Sequence, residues 1–165
     1  MRIMTVRPPW SNLIINHGKD VENRSTNIAG AYRGPVAIHA GLRQMPAGDR
    51  AWHVASAAGM DTDRYDGEEL HLGHIIGVVD LVDVHSASVI GGCGRLVHDC
   101  PEHGTCRTHC SEWGEGPSPS GWFHHLVLTS PRALETPIPY RGRLGLRTFN
   151  ETTDAEILRT LEALS

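Results

Sequence analysis

The chain has 165 residues, a length that predicts a single globular domain over residues 1–165. A hydrophobic content of 39%, with eighteen glycines and ten prolines, is typical of a loop-rich fold with β-strands and excludes coiled coils and collagen-like repeats. The net charge of −4 argues against a uniformly basic nucleic-acid binder. The charge is unevenly distributed, because residues 1–47 hold six basic and two acidic residues, whereas the remainder holds nine basic and seventeen acidic residues.

This charge asymmetry has two interpretations, which are a basic site for an anionic ligand on an acidic body and chance clustering of surface charge. No apolar run approaches the roughly 20 residues that cross a bilayer. The N-terminal sequence MRIMTVRPPW also lacks the apolar core of a signal peptide. The sequence therefore predicts a cytoplasmic protein that does not contact membranes.

Short elements separated by glycine and proline fill the first quarter of the chain. The pattern predicts a strand at 3–6, a two-turn helix between Pro9 and Gly18, and strands at 20–25 and 34–41.

Two short polar helices are expected next, at 49–60 and 61–70, each with an aspartate as its N-cap. The longest apolar run, HIIGVVDLVDV at 74–84, predicts a strand that is buried on both faces at its start and half exposed at its end. Gly77 inside this run indicates a bend or bulge, as tight barrels require.

Residues 91–121 have no apolar period, yet they contain all four cysteines and three histidines. They are interpreted as an inserted loop that something other than a hydrophobic core holds in place. Strands are predicted after it at 122–130 and 143–149, and an amphipathic helix at 153–164 has a threonine or Asp154 as its cap. Five or so short strands with helices at the edges indicate an α+β fold built on a small, partly open β-barrel.

The stretch GKDVENR at 18–24 resembles the signature of the ASCH domain family, a branch of the PUA-like β-barrels, in which glycine, lysine, glutamate and arginine recur in this order. Here the glycine directly precedes the lysine, one residue closer than in the family pattern. Four further segments agree in order: RPPWSNLIINHGK, YRGPVAIHA, HIIGVVDLVDV and WFHHLVLTSPRALETPIPYRGRLGL. The resemblance implies a small PUA-like barrel of about five to six mostly antiparallel strands, with short flanking helices and the Cys-rich loop as an insertion.

Members of this family are RNA-binding coactivator modules, single-strand ribonucleases, or amidohydrolases that act on acylated cytidine. The resemblance therefore implies either an RNA- or nucleotide-binding domain or a hydrolase. In the amidohydrolases the lysine of the motif is catalytic, a threonine stands where this chain has Glu22, and a further glutamate completes the site. Glu68 and Glu69 are the candidates for that second acid.

Lys19 is the only lysine beside fourteen arginines. An ammonium can lose its proton in a protein, whereas a guanidinium effectively cannot, so Lys19 is a candidate general base with Glu22 as its catalytic partner. A salt bridge that ties the first helix to the barrel would use the same two residues.

A ligand cleft is predicted around Lys19, Glu22 and Arg24, because guanidinium groups bind phosphate and base edges through a planar fork of donors. The ring of Trp10 can stack on a base or pack in the core. His39, on a predicted strand, can line the cleft or belong to the core. The further candidates for this site are Arg7, Trp10, Arg33 and His39.

The four cysteines form the second set of candidate ligands. Clustered cysteines with interleaved histidines, in a chain without a secretory signal, favour a metal over disulfides. A structural zinc ion is predicted at Cys93, Cys100, Cys106 and Cys110, where His98, His103 or His109 can replace one thiolate. Free thiols, and a loop that docks a protein partner, are the alternatives.

Overall fold

The structure is a computed structural model. It describes residues 1–62, 70–87, 93, 96–100, 104–108, 110–115, 124–152 and 154–164, and over 96–100 and 104–108 it describes the backbone alone. Within these ranges no helix has the length and apolar character that crossing a membrane requires.

Eight strands and three helices form in the described ranges. The strands are β1 Arg2–Val6, β2 Val21–Arg24, β3 Gly34–Ala40, β4 His74–Ser86, β5 Leu96–Cys100, β6 Gly104–Thr108, β7 His124–Pro139 and β8 Leu146–Thr148. The helices are α1 Trp10–Asn16, α2 Arg50–Ala57 and α3 Ala155–Glu162.

Six of the strands make one mixed sheet with the order β2-β7-β4-β3-β1-β8, and β5 and β6 make a separate antiparallel pair. β1 runs parallel to β3 and antiparallel to β8, while β2 runs antiparallel to β7. A six-stranded sheet with three short helices confirms the predicted α+β class.

Contacts along the chain group its residues into two compact units. The first unit contains residues 1–19, 34–80 and 130–165, and the second contains residues 20–33 and 81–129.

The core of the first unit is apolar and includes α3. Buried residues from β1, β3, β4 and α3 pack together with Phe149, and partly buried residues of α3 pack against them. Its buried members are Ile3, Ala37, Ile75, Val78, Phe149 and Leu161.

Asp154 stands at the N-cap position of α3, as predicted, but its side chain does not cap the helix. Its carboxylate instead accepts hydrogen bonds from the hydroxyl of Tyr140 at 2.9 Å and from the backbone N–H of Asn150 at 2.8 Å. Asp49 does cap α2, because its carboxylate accepts the N–H of Ala51 at 2.9 Å.

Gly77 has no space for a side chain. A Cβ atom at this position would lie 2.6 Å from the carbonyl oxygen of Arg132 and 2.7 Å from Cδ1 of Ile15. Close approach of neighbouring backbone therefore explains this glycine inside β4.

Two predictions for the second half of the chain differ from the structure. The segment interpreted as a loop contains the β5–β6 hairpin, in which Leu96 pairs with Thr108. The strand predicted at 122–130 continues to Pro139, so β7 extends nine residues beyond the predicted end. The helix predicted at 61–70 falls almost entirely on residues outside the described ranges, as do Glu68 and Glu69.

Candidate functional site

Lys19 lies directly after the turn that ends α1, in the first unit. Gly18 has a φ of +73°, a left-handed conformation that favours glycine, and the N–H of Lys19 donates to the carbonyl of Leu13 at 3.0 Å. Lys19 is only 3% exposed, and its Nζ lies 5.3 Å from the centroid of the half-buried Trp10 ring. Because such cation–π contacts contribute roughly 0.5–2 kcal/mol, this lysine is held against an aromatic face and does not project into solvent.

Glu22 and Arg24 lie on β2, in the second unit. Glu22 is 7% exposed, and Nε of Arg24 lies 3.0 Å from its Oε1. The contact agrees with the strand alternation that places these two side chains on one face. The Nε–H is not directed at the oxygen, so the contact is an ion pair without hydrogen-bond geometry. Glu22 therefore positions the Arg24 guanidinium through charge.

Arg33 belongs to the turn that precedes β3. Its Nη1 donates to the carbonyls of Gly30 at 3.2 Å and Tyr32 at 2.7 Å, and its Nη2 lies 3.9 Å from Oδ1 of Asp83. These contacts stabilise the turn, so they favour a structural role for Arg33. Arg7, by contrast, is exposed after β1.

His39 has the environment of a core histidine. It is 1% exposed, its Nε2–H donates to the carbonyl of Tyr140 at 2.9 Å, and the position of Gly142 leaves no room for a Cβ beside its ring. Burial lowers the pKa of His39 below its ordinary value of 6.5, so the ring is neutral at physiological pH. Of the two interpretations of this residue, the contacts favour the core.

A second constellation lies wholly within the second unit. His85 on β4, His125 on β7, Cys93 and Cys110 bring two imidazole nitrogens and two thiol sulfurs within 4.8 Å of one another. His125 is fully buried, and the other three residues are partly buried. We call these four residues the His/Cys cluster, and such a group can hold a metal ion.

Hydrogen bonds set the protonation of both imidazoles in the cluster. Nδ1 of His85 lies 2.8 Å from Oδ2 of Asp83, and because a carboxylate only accepts, this nitrogen carries the proton. His125 carries its proton on Nε2, which donates to the carbonyl of Glu115 at 2.9 Å. In the neutral form of each ring the other nitrogen has a lone pair, and this is the form that binds metals.

The nitrogens that do not donate these hydrogen bonds are the candidate ligand atoms of the two rings. Nδ1 of His125 lies 3.4 Å from Sγ of Cys110, and Nε2 of His85 is buried with no hydrogen-bond partner among the residues that the structure describes. A buried nitrogen without a partner is costly in a folded protein. A cation between the four side chains would satisfy it, so the donor set fits a metal.

The thiols show the same fit. Burial and then the neighbouring Cys93 raise the pKa of the Cys110 thiol to about 12, so this thiol stays protonated in the absence of a cation. A coordinating metal reverses this preference, because it deprotonates the thiol that binds it. Metal binding at the cluster would therefore release thiol protons.

The metal ligands predicted from sequence agree only in part with this cluster. Cys93 and Cys110 belong to it, whereas Cys100 and Cys106 lie on β5 and β6, whose side chains are outside the described part of the structure. The substitutes named for them, His98, His103 and His109, are likewise outside it.

His85 and His125 were missed. Each lies in a run that predicts a strand, DLVDVHS and WFHHLVL, and neither falls within the Cys-rich segment. The one available signal was a histidine close to each end of that segment.

A group of arginines near the C-terminus was also missed. A cavity of about 530 Å³ in the first unit is lined in part by Tyr140, Arg141, Arg143, Arg147 and Asp154. Three arginines within the seven residues RGRLGLR were the available signal. The three arginines make the lining of this cavity a second basic surface.

Comparison with known proteins identifies the fold. No protein-family model matches the sequence, and no curated protein matches it. Among solved structures, the crystal structure of ASCH from Zymomonas mobilis is similar with a TM-score of 0.50 and 10% sequence identity, over 96% of this chain and 93% of that chain. The ASCH-domain fold implied by the five segments is thus confirmed.

Proposed function

We propose that this chain, which has the ASCH-domain fold, binds single-stranded RNA or a nucleotide-like ligand through the motif at residues 18–24. The observation that carries the proposal is the burial of the motif's charges, with Lys19 at 3% and Glu22 at 7% exposure. Lysine and glutamate are among the side chains least often buried, so the burial of both in one short motif indicates a specific role for them. In a chain that uses arginine at every other basic position, a buried lysine is a specific choice.

Each charged residue of the motif has a role in this proposal. Lys19 supplies a positive charge that Trp10 holds in position. Arg24 supplies a planar set of donors for phosphate or a base edge, and Glu22 fixes the orientation of that guanidinium from 3.0 Å. Binding of this kind is electrostatic and therefore weakens as salt increases.

The salt dependence of binding to a labelled oligouridine tests the proposal. Loss of one phosphate contact in Arg24→Gln reduces the slope of log affinity against log salt by about 0.7, the value for single strands. Arg43→Gln is the matched control, because it removes one positive charge from an exposed position outside the motif. An unchanged slope in Arg24→Gln argues against the proposal, as does a loss of binding confined to a variant with Arg141, Arg143 and Arg147 replaced by glutamine.

Hydrolysis at the same motif is the second candidate, favoured by the burial of a lysine beside an aromatic ring. In this case Lys19 removes a proton from the nucleophile and Arg24 stabilises negative charge on the substrate oxygen. Lys19→Arg keeps the positive charge but cannot act as a base, so turnover of single-stranded RNA or acylated cytidine is lost while binding remains. Equal turnover in Lys19→Arg and the parent protein would exclude a catalytic Lys19.

For the His/Cys cluster we propose zinc as the ion, bound by His85, Cys93, Cys110 and His125. Two thiolates and two imidazoles are an ordinary ligand set for tetrahedral zinc, and four protein ligands leave no open position, which is typical of a structural site. Elemental analysis should find one zinc per chain. Cobalt substitution should give the spectrum of two sulfur and two nitrogen ligands, whereas a four-sulfur spectrum that Cys100→Ser or Cys106→Ser abolishes would support the four-cysteine set instead.

A further inference from the structure

The segment that begins at the cluster residue Cys110 is hydrogen-bonded along its length to the motif. Ser111 Oγ donates to Oδ1 of Asp20. Nδ2 of Asn23 donates to the carbonyl of Trp113 at 2.9 Å, and the N–H of Glu115 donates to Oδ1 of Asn23 at 3.0 Å. Segment 110–115 therefore uses both polar atoms of the Asn23 amide.

Glu115 connects this contact directly to the cluster. Its N–H binds Asn23, and its carbonyl accepts the Nε2–H of His125 at 2.9 Å. Asn23 and His125 are also directly opposite each other in the β2–β7 pair. Glu115 thus links the two sites, because its carbonyl orients the imidazole of His125 and its N–H holds Asn23 on β2.

Asn23 lies between Glu22 and Arg24 on β2. Because successive side chains of a strand point to opposite faces, segment 110–115 holds the face of β2 that is opposite to the Glu22–Arg24 pair. The position of Asn23 consequently determines where the two charged side chains of the motif point.

Metal ligands tend to be oriented by hydrogen-bonding partners, and the coupling works in both directions. Cys110 begins segment 110–115, and His125 binds Glu115 at its other end. An ion bound by both residues would therefore fix both ends of the segment. Without the ion, this segment is held by the hydrogen bonds just described, and the buried Nε2 of His85 has no hydrogen-bond partner within the described ranges.

We infer that metal binding at the His/Cys cluster controls the ligand affinity of the motif by locking segment 110–115 onto Asn23. This inference rests on the proposed RNA-binding function. It assigns to the metal a regulatory effect on the ligand site, in addition to its effect on stability. By linkage, the ligand must raise the affinity for the metal by the same factor.

The test compares zinc-loaded, chelator-stripped and reloaded protein, with labelled oligouridine as the probe. Stripped protein is expected to bind about 5- to 150-fold more weakly, with recovery on reloading. Saturating oligouridine is expected to raise zinc affinity by the same factor. Hydrogen exchange at the Glu115 amide gives a readout without RNA, because its hydrogen bond to Asn23 forms without the ion and should protect the amide more strongly in the loaded protein than in the stripped protein.

Asn23→Ala separates the effect of the metal on ligand affinity from its effect on folding, since the substitution removes neither a cluster ligand nor a charge. Loaded Asn23→Ala is expected to keep one zinc per chain, lose protection at Glu115 and bind oligouridine as weakly as stripped protein. Asn16→Ala, at an exposed asparagine at the end of α1, is the control and should bind as the parent does.

The outcomes distinguish the two proposals. Equal oligouridine affinity of loaded and stripped protein, or full affinity in loaded Asn23→Ala, overturns this inference and leaves RNA binding in place. A loaded parent protein that does not bind oligouridine overturns RNA binding and, with it, this inference.

Discussion

Replacing Asp83 by asparagine tests whether the His/Cys cluster is built for a metal. Asp83 accepts the Nδ1–H of His85 at 2.8 Å, which leaves Nε2 as the ligand atom and increases its basicity. Asparagine can still accept this hydrogen bond, but it has no negative charge. The variant therefore retains all four ligands and alters only the electrostatic support of one of them.

The structure places the expected effect at the lower end of the usual range. Loss of a partner behind a metal ligand costs about 10- to 100-fold in affinity, but the Asp83 side chain is 32% exposed and also lies 3.9 Å from Arg33, so solvent and a cation already weaken its charge. We expect about tenfold weaker zinc binding, measured by competition with a chromophoric chelator. The cobalt spectrum should keep its shape, because the ligands are unchanged.

Asp80→Asn is the matched control for this measurement. Asp80 is on the same strand and its side chain is 34% exposed, but it pairs with Arg132 through two 3.0 Å hydrogen bonds and is not part of the cluster. Zinc affinity that is unchanged in Asp83→Asn, or reduced equally in Asp80→Asn, would refute the role assigned to Asp83.

Two further predictions concern stability, and urea unfolding measures both. Gly77→Ala should lower the free energy of unfolding by roughly 1–3 kcal/mol, because its Cβ would overlap the Arg132 carbonyl and Ile15. Gly41→Ala is the control and should show no such loss, because its Cβ would lie 3.4 Å from its nearest neighbour. Equal losses in the two variants would contradict the explanation. Burial lowers the pKa of His39, so the unfolded chain takes up a proton below about pH 6.5, before the folded chain does. The free energy of unfolding therefore decreases as the pH is lowered through this range. His39→Gln should flatten this dependence, and an unchanged pH profile would show that other groups cause it.

Local patterns predicted most of the fold, because they report burial and chain direction directly. The apolar run of β4, the glycine after α1 and the aspartate before α2 each had the predicted structural consequence. Asp154 did not cap α3, because its carboxylate binds Tyr140, which is distant in sequence. Tertiary contacts of this kind have no local signature.

The candidate sites were predictable to different extents for the same reason. The motif at 18–24 is contiguous, so the sequence identified Lys19, Glu22 and Arg24 together. The His/Cys cluster combines two residues of the Cys-rich segment with histidines from β4 and β7. The clustering of cysteines and histidines therefore indicated a metal but pointed to a site formed within one segment.

This difference in ligand origin changes what a metal can do. A site made only of residues from the Cys-rich segment would stabilise that segment alone. A site that also includes His125, directly opposite Asn23 in the β2–β7 pair, attaches the segment to the strand that carries Glu22 and Arg24. The histidines that the cysteine pattern could not identify are therefore the residues through which a metal at the cluster would act on the motif at 18–24.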